Sequence, residues 1–250
     1  PHVVASMGGS AAPSMGTDGT GARLMQALGH EITPLYPALV QLRCSHPALK
    51  GLKGIRTQAE LTLMIDDQAV LREAGELLLT DYGVSGGCVF QLSREAAPAL
   101  AQGRSVRLAV NFLPEIPSLL PWLDARIRQL APASLLALTT GVLPRLLAQT
   151  VIREARLSPD MPAEALSESE KQALCGALSA FPLVVTGTQG FANAQVTRGG
   201  VSLADVDPST LASRLFDGLH IIGELPAAAT IYTLPLPVRW PPRRRLQVNA

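Results

Sequence analysis

The pattern of apolar and polar positions changes character along the chain. At its start, Val3, Val4 and Ala5 form a short apolar run that leads into the glycine pair Gly8-Gly9. This pattern predicts a buried strand followed by a turn, because glycine adopts backbone conformations that other residues avoid. A helix is predicted over residues 20–28, and the following Gly29 is predicted to end it.

From residue 34 to residue 111 the apolar positions recur at every second residue. The clearest alternation is that of Leu61, Leu63 and Ile65, and Val106, Leu108 and Val110 repeat it. Half-buried strands have this period. Asp66-Asp67 is predicted to be the turn between the first strand and a second one at residues 70–71, and residues 76–80 are predicted to form a further strand. A small antiparallel sheet or barrel would contain these strands.

Between residues 114 and 181 the period becomes helical, with leucine or valine at steps of four. Ser167 and Glu170 have the spacing of a capping box, which predicts the start of a helix. Strand character returns at 183–186, a glycine turn is predicted at 197–201, and residues 219–222 form a buried strand that ends in Gly223-Glu224. A β region and a helical region are therefore bracketed by two strand-to-glycine segments, as expected of an insertion into a larger α/β domain.

Composition narrows the class of protein. The chain has 250 residues, 47% of them hydrophobic and 16% charged, which favours a packed core over disorder. A formal net charge of +1 gives no reason to expect a nucleic acid or an acidic membrane as partner. Three widely spaced cysteines fit neither a disulfide framework nor a zinc site. Without a long apolar run or a signal-peptide pattern, a cytoplasmic protein is expected, and its oligomeric state stays open.

One candidate chemistry is that of a serine hydrolase. Residues 83–87 satisfy the G-x-S-x-G pattern, with Ser85 as nucleophile, His220 as base and Asp205 or Asp217 as the carboxylate. The spacing disfavours this triad, because His220 sits inside an apolar strand and no amphipathic helix is evident behind Ser85. Another alternative is a non-catalytic module in which the arginine-bearing region 114–181 binds a partner or a nucleic acid.

Glycine-rich segments give the alternative that we favour. Gly8 and Gly9, with further glycines just before the first predicted helix, could offer free backbone N–H groups and a helix N-terminus to a phosphate or a ring edge. Five segments then occur in a fixed order: 6–9 with Pro13 and Gly16, 75–86, 143–146, 196–201 and 218–224. Together they resemble the YhiN-type bacterial FAD-binding oxidoreductases, often labelled aminoacetone-oxidase-like.

The resemblance implies a fold and a cofactor. The fold class would be α/β, or multidomain α+β, with an FAD-binding Rossmann-like domain interrupted by an antiparallel β-barrel-like region and a helical subdomain. The implied boundaries are 1–33 and 207–225 for parts of the FAD-binding domain, 34–113 for the barrel-like region, 114–181 for the helical subdomain, 182–206 for return strands and 226–250 for a divergent Pro/Arg-rich tail. FAD would exchange a hydride or electrons with a small organic substrate, and NAD(P)H is the candidate electron donor.

The resemblance also implies two sets of site residues, with neither a catalytic residue nor a metal assigned. The residues near FAD would be Gly8, Gly9, Thr197, Gly199, Gly200, Val201, Gly223 and Glu224. Those on the substrate side would be Thr80, Gly83, Ser85 and Gly86.

This sequence departs from the family pattern in several places. Met7 stands where the family usually has Thr, and Asp81 where His is common. No GxGxxG strand-turn-helix unit is present, and the residues after Glu224 do not continue the family's pattern. These departures lead us to expect an N-terminally incomplete fragment whose C-terminus reflects a frameshift or truncation, and which does not retain stoichiometric FAD.

Overall fold

The computed structural model describes residues 2–227, in which ten strands form three sheets. One sheet is the parallel pair of β1 (Val3–Ala5) and β10 (Leu219–Ile221), and another is the antiparallel pair of β2 (Ile32–Ala38) and β9 (Val196–Val201). The other six strands close a barrel in the order β3-β6-β5-β4-β7-β8. They are β3 (Leu42–Ser45), β4 (Arg56–Ile65), β5 (Gln68–Leu79), β6 (Gly83–Ser85), β7 (Val106–Asn111) and β8 (Phe181–Thr188).

Six α-helices accompany these strands in the described part of the chain. They are α1 (Thr20–Ala27), α2 (Gly87–Ala101), α3 (Leu119–Leu130), α4 (Leu135–Leu138), α5 (Arg145–Glu154) and α6 (Glu168–Ser179). Helix α1 follows β1, α2 connects two barrel strands, and α3–α6 form a helical unit between β7 and β8. The chain is thus a mixed α/β protein with a closed six-stranded barrel.

The barrel confirms the prediction from the period of two. Along β4 the residues Ala59, Leu61, Leu63 and Ile65 are all buried, and they pack with apolar residues of β5, β7 and β8 in one core. The turn after β4 uses Asp66 and Asp67 with φ of 49° and 64°. Two successive residues with positive φ match the right-handed twist of the flanking strands, which is why Asp or Asn is favoured there.

Two elements of the barrel differ from the prediction. Residues 70–71 and 76–80 do not belong to separate strands, since β5 runs without interruption from Gln68 to Leu79. The second element is α2, which was not predicted. Its Val89, Leu92 and Ala96 are buried in the barrel core, while Ser93 and Arg94 are buried on other sides of the same helix. A helix that is covered on most sides lacks the apolar stripe by which a helix is recognised in a sequence.

The helical unit packs on one side of the barrel. Ser167 and Glu170 form the predicted capping box at the start of α6. Leu178 at the end of α6 accepts a hydrogen bond at 2.9 Å from the backbone N–H of Phe112, which follows β7. In a second contact, His46 lies 3.4 Å from the carboxylate of Glu154 on α5. Polar and apolar contacts therefore tie the helices to the barrel wall.

Arg126 on α3 fixes the end of the short helix α4. Its Nε donates to the Leu138 carbonyl at 2.5 Å and its Nη2 to the Thr140 carbonyl at 2.9 Å, while the guanidinium lies over the Trp122 ring. A lysine cannot make this two-pronged contact. We expect Arg126→Lys to lower the free energy of unfolding by about 1 kcal/mol, as measured by urea denaturation. Arg128→Lys, at an exposed position two residues further along α3, is the control, and an equal effect of both substitutions would contradict the assignment.

The two ends of the described chain meet in the parallel sheet. Val3 pairs with Leu219 and Ala5 with Ile221, so β1 and β10 are adjacent parallel strands. Along the chain, the barrel, the helical unit and the β2–β9 pair all come between these two strands. This arrangement agrees with the predicted insertion. That β1, α1 and β10 belong to a Rossmann-like FAD-binding domain stays a prediction, as do the domain boundaries.

No helix within residues 2–227 is long and apolar enough to cross a membrane. The predicted divergent tail at 226–250 lies, from residue 228 onward, outside the described residues.

Candidate functional site

Three segments that are distant in sequence meet around the side chain of Thr197. The hydroxyl oxygen of this threonine accepts hydrogen bonds from the backbone N–H groups of Ser10 at 2.7 Å and of Ala11 at 3.0 Å. Its own backbone N–H donates to the carboxylate of Glu224. Thr197 is 1% exposed, so these bonds form away from water. The loop after β1, strand β9 and the turn after β10 are thereby joined, and we call this contact the Thr197 clasp.

Gly9 lies inside the Thr197 clasp, where there is no room for a side chain. A Cβ on Gly9 would be 2.6 Å from Glu224 Oε1 and closer still to Thr197 Oγ1. On its other side, the Thr17 hydroxyl donates to the Gly9 carbonyl. The loop can therefore approach β9 this closely only because residue 9 is glycine. Thr17 is a contributor to the site that the sequence did not reveal.

The loop after β1 also presents unused backbone donors. The N–H groups of Gly8 and Gly9 donate to no acceptor within residues 2–227, and both residues are half-buried. Gly8 has a φ of 71°, in the left-handed region that glycine enters readily. Successive N–H groups in such a turn form a concave donor surface that suits a phosphate oxygen or a carbonyl oxygen of a ring.

The N-terminus of α1 differs from the prediction that it receives a phosphate. The carboxylate of Asp18 accepts hydrogen bonds from the backbone and hydroxyl of Thr20, the first residue of α1. These bonds hold the pKa of Asp18 below its usual value, so the group stays anionic. An anion is already in place at this helix end and repels a second one.

The glycines of β9 are part of a strand, and the predicted glycine turn at 197–201 is wrong. Gly199 and Gly200 have φ of 96° and 139° within β9. A Cβ on Gly199 would overlap the carbonyl of Pro34, and one on Gly200 the carbonyl of Leu225. Val201 is fully buried and donates its N–H to Leu225 at 2.7 Å.

Gly223, at the other end of this group, is glycine because of its backbone conformation and not because of a close contact. It has a φ of 71°, and its Cβ position lies 3.5 Å from the Ser6 hydroxyl. Of the eight residues predicted to lie near FAD, Gly9, Thr197 and Glu224 are in direct contact, and the others flank them. The role of these residues in binding FAD stays a prediction.

The four residues predicted on the substrate side lie on the barrel wall. Thr80 and Gly83 close a tight turn between β5 and β6, in which Gly83 N–H donates to the Thr80 hydroxyl at 3.0 Å. Gly83 and Gly86 both press against backbone of neighbouring strands. Ser85 is 8% exposed. No hydrogen bond within residues 2–227 joins these four residues to the Thr197 clasp, and their close packing is explained by the barrel itself.

The serine hydrolase triad does not assemble. The ring nitrogens of His220 lie 3.3 Å from the Thr210 carbonyl and 3.4 Å from a ring nitrogen of His2, and neither contacts Ser85 or a carboxylate. Asp205 instead accepts the backbone N–H of Glu31 at 2.8 Å. The expectation that no helix stands behind Ser85 was wrong, because α2 begins at Gly87. A helix in that place does not supply the missing base.

The loop at residues 207–218 lies against strand β10. The carboxylate of Asp207 accepts hydrogen bonds from Ser209 and Thr210, which lower its pKa to about 2. Because the folded pKa lies below the ordinary value of 3.8, this turn is stabilised above pH 4 and loses that support only as the pH falls through about 2. His30 is buried beneath the loop, with Nε2 2.8 Å from the Ser213 hydroxyl.

The cysteines carry no visible chemistry. All three are free, and burial raises the pKa of Cys44 to about 12, which removes the reactive thiolate at neutral pH. Within the described part of the chain, no group of three His, Cys, Asp or Glu side chains could hold a metal ion.

The fold and the site together define an α/β protein in which a barrel and a helical unit are inserted next to a glycine-lined clasp. Residues 36–196 match the family described as HI0933-like protein barrel and H2TH domain, and the chain belongs to that family. The narrower YhiN-type assignment stays a prediction.

Three relatives that are named for an activity are similar to this chain over most of its length. Over 227 residues, 90% of this chain and 55% of the relative, it is 35% identical to a 3-dehydro-bile acid delta(4,6)-reductase from Clostridium scindens. It is 29% identical to a ribosomal RNA dihydrouridine synthase from Escherichia coli, over 89% of this chain and 54% of the relative. A protein of the same name from Haemophilus influenzae is 24% identical over 90% and 53%. The chain spans about half the length of these curated relatives.

Proposed function

We propose that this chain is part of an FAD-dependent oxidoreductase that reduces a carbon–carbon double bond conjugated to a carbonyl group in a small organic molecule. The observation that carries the proposal is the Thr197 clasp with the free N–H groups of Gly8 and Gly9 beside it. This arrangement is a rigid donor surface at the end of a parallel strand, a common place for a nucleotide cofactor in α/β proteins.

The type of reaction is inferred from what two relatives have in common. A delta(4,6)-reductase of a 3-dehydro-bile acid, by its name, reduces carbon–carbon double bonds in a molecule that carries a ketone. A dihydrouridine synthase saturates the double bond of uracil, which is conjugated to a ring carbonyl. Both names describe the addition of two electrons and two protons to an alkene that a carbonyl activates. We therefore assign this reaction type to the present chain.

The residues of the clasp fit FAD as the electron carrier. Bound FAD would supply the two electrons of the reduction. Gly8 and Gly9 would donate their N–H groups to an electronegative edge of the cofactor, and their lack of side chains permits a close approach. Thr197 and Glu224 would fix the loop by the bonds they already make, so that little conformational freedom is lost on binding. NAD(P)H is the electron donor that we propose for the cycle.

The distribution of charge favours a small substrate over RNA. The sequence has 21 Lys and Arg against 20 Asp and Glu, a formal net charge of +1. Several of those cations are paired, as Arg56 is with Glu76 at 2.5 Å and Lys53 with Asp81 at 2.9 Å. Binding of RNA depends on Lys and Arg that neutralise phosphates. A chain whose positive and negative charges nearly cancel offers little of this attraction.

Binding of FAD can be tested at Thr197. Thr197→Val keeps the shape of the side chain but removes the acceptor for the N–H groups of Ser10 and Ala11, at a cost of about 2 kcal/mol. We expect the Kd for added FAD, measured by quenching of flavin fluorescence with the purified chain, to rise at least about tenfold. Thr186→Val, at an exposed position of β8, is the control and should leave the Kd unchanged. Equal affinities of both variants would remove the clasp from the cofactor site.

The reaction itself is tested with the same protein. Dithionite-reduced FAD, the purified chain and a steroid 4-en-3-one are combined without oxygen, and the decay of the enone's ultraviolet absorbance is followed. Formation of the saturated ketone above the rate without protein supports the proposal. If the chain binds FAD but accelerates only the reduction of compounds that lack a conjugated double bond, the assigned reaction type is wrong while the cofactor assignment stands.

A further inference from the structure

Arg94 on α2 is a buried cation without a counter-ion. It is 8% exposed, and its Nη1 atom is shielded from solvent and has no hydrogen-bond acceptor within residues 2–227. Its Nε donates to the Gln91 carbonyl at 3.2 Å, and no described carboxylate pairs with it. The adjacent Glu95 pairs with Arg198 at 3.0 Å instead. A guanidinium does not lose its proton in a protein, so Arg94 cannot relieve this cost by becoming neutral.

A second unsatisfied group lies in the same neighbourhood. The side-chain oxygen of Gln41 is also buried and without a partner among the described residues. The residues next to these two, Val40 and Ser93, are joined by a hydrogen bond of 3.2 Å from the Val40 N–H to the Ser93 hydroxyl. Arg94 and Gln41 are therefore each one residue from the same contact between α2 and the link from β2 to β3. Buried polar groups in folded proteins nearly always have partners, so two such exceptions next to one contact call for a ligand.

Arg94 is also connected to the Thr197 clasp. The guanidinium of Arg198 donates to the backbone carbonyl of Arg94. Arg198 lies on β9 between Thr197 and Gly199. The backbone of Arg94 therefore lies next to the side chain of a β9 residue that follows Thr197 directly.

We propose that Arg94 binds an oxyanion, with Gln41 as a second polar contact to the same ligand. A carboxylate or a phosphate supplies the negative charge and the acceptor oxygens that a guanidinium binds most strongly. An amide side chain can accept or donate, according to its orientation, and so suits either group. This proposal goes beyond the redox function and does not depend on it, because the binding of a simple anion needs no flavin.

The test measures thermal unfolding of the purified chain without flavin. Sodium phosphate and sodium acetate are each compared with sodium chloride at equal ionic strength and pH. A ligand that binds the folded state alone raises Tm, by about 3–6 °C at ten times its Kd for a chain of this size. A larger rise with phosphate identifies a phosphate group as the natural ligand chemistry, and a larger rise with acetate identifies a carboxylate.

Arg94→Met assigns the effect to this residue. Methionine fills a similar volume without charge, so we expect the rise in Tm with anion to disappear. The anion-free Tm should be equal to or higher than that of the parent chain, since an unpaired buried charge has been removed. Arg128→Met, which removes an exposed cation on α3, should keep the full rise.

A second variant covers the case in which Arg94→Met does not fold. Arg94→Lys keeps the charge but loses the forked donor, and we expect it to retain less than half of the rise in Tm. A parent chain that gains no stability from either anion would overturn the proposal, and so would an equal rise in the parent and in the Arg94 variant that folds.

Discussion

Replacing Gly9 with alanine is expected to weaken FAD binding by between about tenfold and a hundredfold while the barrel stays folded. The added methyl group would be 2.6 Å from Glu224 Oε1 and would overlap Thr197 Oγ1, so the loop after β1 must move away from β9. That movement breaks the hydrogen bonds of Ser10 and Ala11 to Thr197. Overpacking of this kind costs about 1–3 kcal/mol. The barrel core contains none of these residues, so its unfolding transition should be preserved.

The control for Gly9→Ala lies in the same loop. Gly16 has a φ of 102° and nothing within 4 Å of its Cβ position, so Gly16→Ala introduces backbone strain without steric overlap. We expect Gly16→Ala to change the Kd for FAD by less than about threefold. Backbone strain at an exposed turn costs about 1 kcal/mol, and it lowers mainly the stability of the loop. The measurement is again a flavin fluorescence titration, with circular dichroism as the check on folding. Equal losses of affinity in the two variants would show that the loop tolerates no change at all, and the clasp would have no special part.

The parts of the fold that were predictable are those in which the pattern is local and one-sided. Strand β4 alternates buried and partly exposed residues from Ala59 to Ile65, and this period fixes both the strand and the face that it buries. The capping box at Ser167 and the turn at Asp66-Asp67 depend on neighbours within a few residues. In each case the sequence segment itself contains every group that determines the local structure.

The parts that could not be predicted depend on distant partners. Helix α2 is covered by barrel strands on one side and by β2 on another, so its apolar residues do not form a single stripe. The glycines of β9 looked like a turn, because positive φ is usual in turns. In the structure they permit close approach of the carbonyls of Pro34 and Leu225, which no pattern within residues 197–201 could indicate.

The candidate site was predictable only in part, again because its contacts join residues that are distant in sequence. The resemblance named Gly9, Thr197 and Glu224, and the structure brings these three together. The bond from Ser10 to Thr197 spans 187 positions, so geometry rather than sequence spacing reveals it. Arg94 was overlooked because a lone arginine in a helix is ordinarily exposed, and only its burial without a partner makes it notable.

Gly83→Ala is expected to be among the most destabilising single substitutions in the chain. The new methyl group would be 2.6 Å from the backbone nitrogen of Cys44 and would overlap the carbonyl of Leu42, both on β3. Gly83 and Leu42 lie where β6 pairs with β3, one of the contacts that close the barrel. Backbone atoms cannot rotate away as a side chain can, so strands β3 and β6 must separate. We expect the free energy of unfolding to fall by about 3–5 kcal/mol, measured by urea denaturation.

The matched control for Gly83→Ala is Gly103→Ala, just after α2. Gly103 has a φ of 72° and open space around its Cβ position, so alanine there adds backbone strain alone, worth about 1 kcal/mol. The difference between the two variants isolates the steric overlap at β3. It also decides why residue 83 is glycine. If Gly83→Ala proves no more destabilising than Gly103→Ala but abolishes turnover of an enone, the glycine serves the substrate side of the site. A large loss of stability assigns it to closure of the barrel, since strands that cannot pair lose the hydrogen bonds and the apolar burial that depend on that pairing.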